Sequence, residues 1–204
     1  MNALETIHGQ YVHTRRVRIL AQHIAPLLPQ GSTVLDVGCG DGLLDEAILS
    51  ARPDLSIRGL EVQPRANARI PVDSFDGQTI ALPDDAVDAV MFIDVLHHTA
   101  DPLVLLREAA RVSRKMIIIK DHFREGLLAN TTLRFMDRVG NKRHGVPLPY
   151  RYWTEAEWTA AYAELDLDLT SSQRSLRLYP WPASMLFDRS LHFIAQLSKR
   201  REHR

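Results

Sequence analysis

Val34-Leu35-Asp36-Val37-Gly38-Cys39-Gly40-Asp41-Gly42 is an apolar run that ends in three glycines spaced two apart, with an acid just before them. Such a run reads as a strand that stops at a sharp turn where a ligand comes close to the main chain. Glycine suits that turn because, without a Cβ, it takes φ > 0 and lets a flat, bulky ligand lie on the backbone. Leu43 to Leu49 then has helical character, which aims a helix N-terminus and its free N–H groups at the loop. Strand, glycine turn and helix together make a nucleotide-type site.

The residue after the third glycine narrows the ligand. A dinucleotide fingerprint, G-x-G-x-x-G/A, needs a small third residue for close helix packing near the pyrophosphate. Here that position is Leu43, the spacing is G-x-G-x-G, and Asp36 stands two residues before the first glycine. An acid suits a cationic amine and not a pyrophosphate. Ile57 to Glu61 reads as a second strand ending in an acid, 21 residues after Gly40, where a carboxylate can accept both hydroxyls of a ribose. Phe75-Asp76-Gly77, then Leu82 to Asp88, then Ala89 to His98 follow in order.

This ordered set resembles the class I S-adenosylmethionine-dependent methyltransferases, and within them the type 11, small-molecule branch. The resemblance implies that Asp36 helps hold the methionine amino group, often through water. It also implies that Gly38, Cys39, Gly40 and Gly42 form the cofactor loop, that Glu61 holds the ribose, and that Asp76, beside Gly77, contacts the adenine amino group. S-adenosyl-L-methionine is then the cofactor and S-adenosyl-L-homocysteine the product. Two departures stand out. Gln63 to Ala68 is too short for a full crossover helix, and Ser113-Arg114-Lys115 replaces the paired glycines of many relatives.

The fold expected is α/β: a Rossmann-like, doubly wound, seven-stranded, mostly parallel sheet with an antiparallel last strand and helices on both faces. Strands are expected over 33–37, 56–61, 69–73, 87–93 and 115–120, alternating for the most part with helices. An amphipathic helix over 9–28 leads into them, and Asp101-Pro102 starts another helix, with the acid as N-cap. One domain is expected over 1–204: a cofactor core over about 10–123, a helical substrate-side insertion over about 124–165 and a terminal hairpin over about 166–198. The insertion should hold a helix over about 125–139, and Thr154-Glu155-Ala156-Glu157 is a capping box for another.

Composition excludes several classes. With 25 basic and 25 acidic residues the chain has no bulk attraction to polyanions, so no nucleic acid is expected as a partner. No apolar run approaches the roughly 20 residues of a membrane span, and no signal-peptide core opens the chain, so no membrane partner and a cytoplasmic location are expected. Cys39, the single cysteine, excludes an internal disulfide. Oligomeric state is not readable from these features.

Methyl transfer is a displacement at a sulfonium that carries its own leaving group, so the protein mainly aligns an N, O or C nucleophile and excludes water. A general base is needed where the nucleophile arrives protonated. The candidate catalytic groups are His97, His98, His122 and Asp121, with His97 first because it follows the fourth strand. Asp94 lies with the cofactor ligands at the strand ends. Arg16 and Tyr11 on the leading helix can reach the cofactor carboxylate, as N-terminal residues do in similar enzymes. Phe135, Met136, Tyr150, Tyr152 and Trp153 offer an apolar pocket for a small aromatic or hydrophobic acceptor. No metal centre is expected: His97, His98, Asp121 and His122 have suitable ligand chemistry but no metal-ligand spacing. Set against a small-molecule methyltransferase are an inactive cofactor-binding partner subunit of the same fold, a nicotinamide oxidoreductase, disfavoured by Leu43, and RNA or protein methylation, disfavoured by neutral charge.

Overall fold

The computed structural model describes residues 3–141, 149–188 and 191–200. Strand β1 (Thr33–Val37) is buried at every position after the first. Its side chains alternate between two cores, Leu35 and Val37 in one and Val34 in the other. β4 (Val87–Ile93) does the same, with Val90 and Phe92 on one side and Ala89 and Met91 on the other. A strand covered on both faces reads as a nearly continuous apolar run, and these two do apart from Thr33 and Asp36 in β1 and Asp88 in β4.

Helices α3 (Pro102–Val112) and α5 (Glu155–Glu164) cover the first core through Leu105, Leu106, Trp158 and Ala161. Helices α1 (Ala3–Ile24) and α2 (Leu43–Ala51) cover the second through Leu20, Ile24 and Ile48. Asp101 caps α3 by accepting from the Leu103 amide at 3.1 Å. Thr154 and Glu157 form the reciprocal capping box of α5.

The remaining strands are β2 (Ser56–Glu61), β3 (Val72–Ser74), β5 (Ser113–His122), β6 (Leu167–Gln173) and β7 (His192–Lys199). They form one seven-stranded sheet in the order β3-β2-β1-β4-β5-β7-β6. Neighbours from β3 to β5 are parallel, and β7 runs antiparallel between β5 and β6. This is the doubly wound, mostly parallel sheet with an antiparallel last strand that the sequence implies. The chain winds outward from β1 to β3 and then returns to the other side of β1 at β4. The carboxyl ends of β1 and β4 therefore flank the point where strand order reverses, which is where such sheets bind ligands.

Several boundaries differ from the sequence reading. α1 begins at Ala3 and gives way to a 3-10 turn over Ala25–Leu27. Pro26 explains the stop, since it lacks an N–H and disfavours helical geometry in the residue before it. α4 (Ala129–Asn141) starts later than expected because Gly126 and Leu128 take φ of +96° and +59° just ahead of it. The β2–β3 and β3–β4 connections carry no helix. α4 places Ala129 and Leu133 with Tyr152 and Leu191 in a third, small core. No helix among the described residues is long and apolar enough to cross a membrane.

Candidate active site

The glycine loop is built by backbone bonds across the sheet. The Gly38 amide donates to Leu60 O at 2.7 Å, pulling the end of β1 against β2. Gly38 and Gly42 have φ of +80° and +73°, and a Cβ on either would lie 2.5 Å from Val95 Cγ2 or 2.8 Å from Ile70 Cγ1. Gly40, at φ +63°, is different: a Cβ added there would have no neighbouring atom nearer than 3.9 Å, so that side of the turn is open to a ligand. Cys39 turns its thiol onto Gly59, whose missing Cβ leaves the room it fills. Burial, with Asp36 and Asp45 near, pushes the Cys39 thiol up and leaves it unreactive.

Around the loop, Glu61 accepts from the Gly40 and Val62 amides, each at 2.9 Å, so its carboxylate bridges the end of β2 and the turn. Asp76 Oδ1 accepts from the Gln78 and Thr79 amides at 2.8 and 2.6 Å in a turn closed by Gly77 at φ +80°. Those amides lower the pKa of the Asp76 carboxyl, which stays an anionic acceptor. Asp36 is buried beside Asp45 of α2, and burial followed by that second carboxylate raises it well above the usual range. Asp45 itself is pushed up to about 6 by burial, and among the described residues neither of its oxygens has a hydrogen-bond partner. Two facing buried carboxyls of this kind suit an incoming ammonium.

Beyond β4 lies a charged cluster. Asp94, at φ +59°, pairs with both Arg16 of α1 and Lys120 of β5. Burial opposes its charge, but the two cations hold its carboxyl well below the usual range. Lys120 is wholly buried, and its Nζ also lies 3.2 Å from His192 Nδ1. Arg16, expected at the cofactor carboxylate, pairs here with Asp94. Tyr11 lies on α1, and its side chain is outside the described part of the structure.

The 3-10 turn Leu96–His98 brings the candidate bases together. His97 Nδ1 lies 2.6 Å from Asp121 Oδ1, and the His97 ring centroid is 4.0 Å from that of His98 and 4.8 Å from that of His122. Asp137 of α4 closes the cluster, 3.5 Å from His97 Nε2, and the Tyr152 hydroxyl donates to it. Burial disfavours a charged His97, yet Asp121 and Asp137 outweigh it and raise the imidazole to about 10. His122 falls to about 4 through burial and Lys120, and His98 falls through burial and His97. One charged and two neutral imidazoles therefore share the cluster at neutral pH.

The substrate candidates divide. Tyr152, Met136 and Tyr150 gather in the small core beside the histidines. Trp153 instead packs on the main core against Trp158, with ring centroids 4.8 Å apart, and Phe135 is exposed on the outer side of α4. Sequence reading does not single out Asp45, Asp137 or His192. Asp137 leaves one clue, since it continues the buried stripe of Ala129 and Leu133 at four-residue spacing.

A doubly wound sheet with an acid-lined glycine loop at its switch point defines a class I methyltransferase site. The family model for the methyltransferase domain matches residues 11–172, and the chain belongs to that family. S-adenosylmethionine is its cofactor and S-adenosylhomocysteine the product left behind. The chain is 31% identical over 111 residues to the 27-O-demethylrifamycin SV methyltransferase of Amycolatopsis mediterranei, covering 47% of this chain and 40% of that protein. It is 32% identical over 93 residues to the ubiquinone biosynthesis O-methyltransferase of Cereibacter sphaeroides, covering 40% and 37%. The match thus spans about two fifths of these relatives' length. Among solved structures, a chain from the complex of the Haloferax volcanii Trm112 methyltransferase activator with a methyltransferase superposes with a TM-score of 0.72 at 19% identity, covering 96% of this chain and 94% of that one. A SAM-dependent methyltransferase from Aquifex aeolicus gives 0.59 at 19% identity, covering 84% of each.

Proposed function

We propose that this chain transfers the methyl group of S-adenosylmethionine to a hydroxyl oxygen of a small aromatic or hydrophobic metabolite. The observation that carries this reading is the contact between loop and cluster. Gly38 packs against Val95, two residues before His97, so the methyl-donor loop and the imidazole cluster share one wall. Neutral His98 and His122 are able to take up the proton that a hydroxyl must lose, whereas His97 holds its own proton between two carboxylates. Tyr152, Met136 and Tyr150 supply the apolar side. The relatives that act on a rifamycin and in ubiquinone biosynthesis support an oxygen nucleophile on a ring-bearing molecule.

In this reading Asp36 receives the cofactor's ammonium, Glu61 the ribose hydroxyls and Asp76 the adenine. The acceptor oxygen attacks the methyl carbon, the S–CH3 bond breaks, and its electron pair stays on sulfur. The test is calorimetry with S-adenosylmethionine and S-adenosylhomocysteine, followed by a screen of phenols, quinols and amines for S-adenosylhomocysteine release. Binding of both ligands and release driven by phenols or quinols is expected. Release driven by amines alone would overturn the oxygen assignment. Binding without release from any class would overturn the activity and favour a cofactor-binding partner subunit.

A further inference from the structure

His97 Nε2 and His98 Nδ1 are buried nitrogens without a hydrogen-bond partner among the described residues, and His97 Nε2 lies 3.5 Å from the Asp137 carboxylate. One ligand atom from each of the three lies within 4.8 Å of the others. Two ligands on one transition metal, each about 2.1 Å from it, stand roughly 3 to 3.5 Å apart. The 3.5 Å between His97 Nε2 and Asp137 Oδ2 already has that span and is long for a hydrogen bond.

The outer contacts fit the same purpose. A metal-bound histidine usually donates its other ring N–H to a carboxylate, which fixes tautomer and orientation. His97 has that partner in Asp121, at 2.6 Å. The Tyr152 hydroxyl holds Asp137 in turn. A second grouping, His97 with Asp121 and His122, is less suited. There Asp121 Oδ1 already faces His97 Nδ1, the His122 amide and His122 Nδ1.

We propose that His97, His98 and Asp137 form a binding site for one first-row divalent transition-metal ion at the acceptor end of the cleft, the ion displacing the Nε2 proton that His97 otherwise carries. Two imidazoles and one carboxylate are the donor set of zinc, manganese, iron, cobalt and nickel, and they leave coordination positions open. Adjacent histidines and an aspartate thirty-nine residues further on have no recognisable spacing; α4 brings the third ligand in. The site's role rests on the methyl-transfer reading. A bound ion would lower the pKa of an acceptor hydroxyl, whose proton would pass to neutral His122 as the oxygen attacks the methyl carbon and the S–CH3 electron pair stays on sulfur.

The experiment loads the full chain, stripped with chelator, with cobalt(II), and reads stoichiometry by elemental analysis and coordination by visible absorption. Wild type, Asp137→Asn and His98→Ala are compared, and calorimetry with S-adenosylmethionine checks folding in each. One cobalt per chain with d–d bands is expected, falling at least tenfold in affinity in both variants while cofactor affinity is kept. Absence of cobalt from a wild-type chain that binds S-adenosylmethionine would overturn the site, as would cobalt binding that both variants leave intact. Failure to bind S-adenosylmethionine would count against the methyl-transfer reading and leaves the cobalt result to decide the metal site separately.

Discussion

Asp94 and Lys120 stand at the ends of neighbouring parallel strands and form an ion pair in which the lysine is wholly buried. The pair is joined by backbone as well, since the Asp94 amide donates to Lys120 O at 2.8 Å. A lysine at the end of the apolar run Met116 to Ile119 is a position a sheet tolerates only with a partner. Lys120→Ala should therefore cost about 3 to 5 kcal/mol in urea unfolding, because it leaves Arg16 as the one full cation on Asp94, with neutral His122 at 3.7 Å. Lys120→Met, with Asp94→Asn beside it, should recover much of that loss. A cost below about 1 kcal/mol for the single change would show the pair to be dispensable.

The two kinds of glycine in the loop should separate in measurement. Gly38→Ala puts a Cβ into Val95 at φ +80°, so it should lower stability by about 1 to 3 kcal/mol. Gly40→Val brings no Cβ clash but sets a β-branched residue at φ +63°, so it should also cost about 1 to 2 kcal/mol of stability, while S-adenosylmethionine affinity of the folded chain falls at least tenfold. Thermal melts and calorimetry on both variants check this. Unchanged cofactor affinity in Gly40→Val would move the ligand away from the loop.

The Asp36 and Asp45 pair should make stability depend on pH. A carboxyl raised to about 6 in the folded chain binds its proton more tightly than in the unfolded chain. Its stabilising contribution is complete below the ordinary carboxylate range and is lost as pH rises through about 6. The unliganded protein should therefore lose melting temperature between about pH 5 and pH 7. Asp45→Asn should flatten that slope and raise stability at about pH 8 by about 1 kcal/mol or more. A parallel shift at every pH would show that the slope has another source.

Thr154→Ala should cost about 1 kcal/mol by removing the cap of α5, with no effect on cofactor affinity. Denaturant midpoints of the two proteins give the comparison.

What can be read from the sequence is local. Val34 to Gly42, the acids closing β1 and β2, and the box at Thr154 each signal through residues a few positions apart, because strand alternation, turn geometry and capping act over that range. Arg16 and Asp94, separated by 78 positions, and Lys120 and His192, separated by 72, signal nothing locally. Their meeting depends on which helix covers the switch point and on β7 entering beside β5. His97 shows the limit from the other side. Its place after β4 is legible, but the two carboxylates that keep it protonated come from β5 and α4, so its charge state is not.

The insertion of β7 between β5 and β6 has a consequence for how the chain is made. β6 pairs only with β7, so it has no place in the sheet until residues 192 to 199 have left the ribosome. Until then the edge of β5 away from β4 is unpaired and Lys120 lacks His192. Synthesis therefore leaves a five-stranded sheet whose β5 edge, apolar and later covered, is open, a species prone to self-association. Of the clustered residues only His192 arrives with β7, so the buried Lys120, already paired with Asp94, gains its imidazole neighbour last.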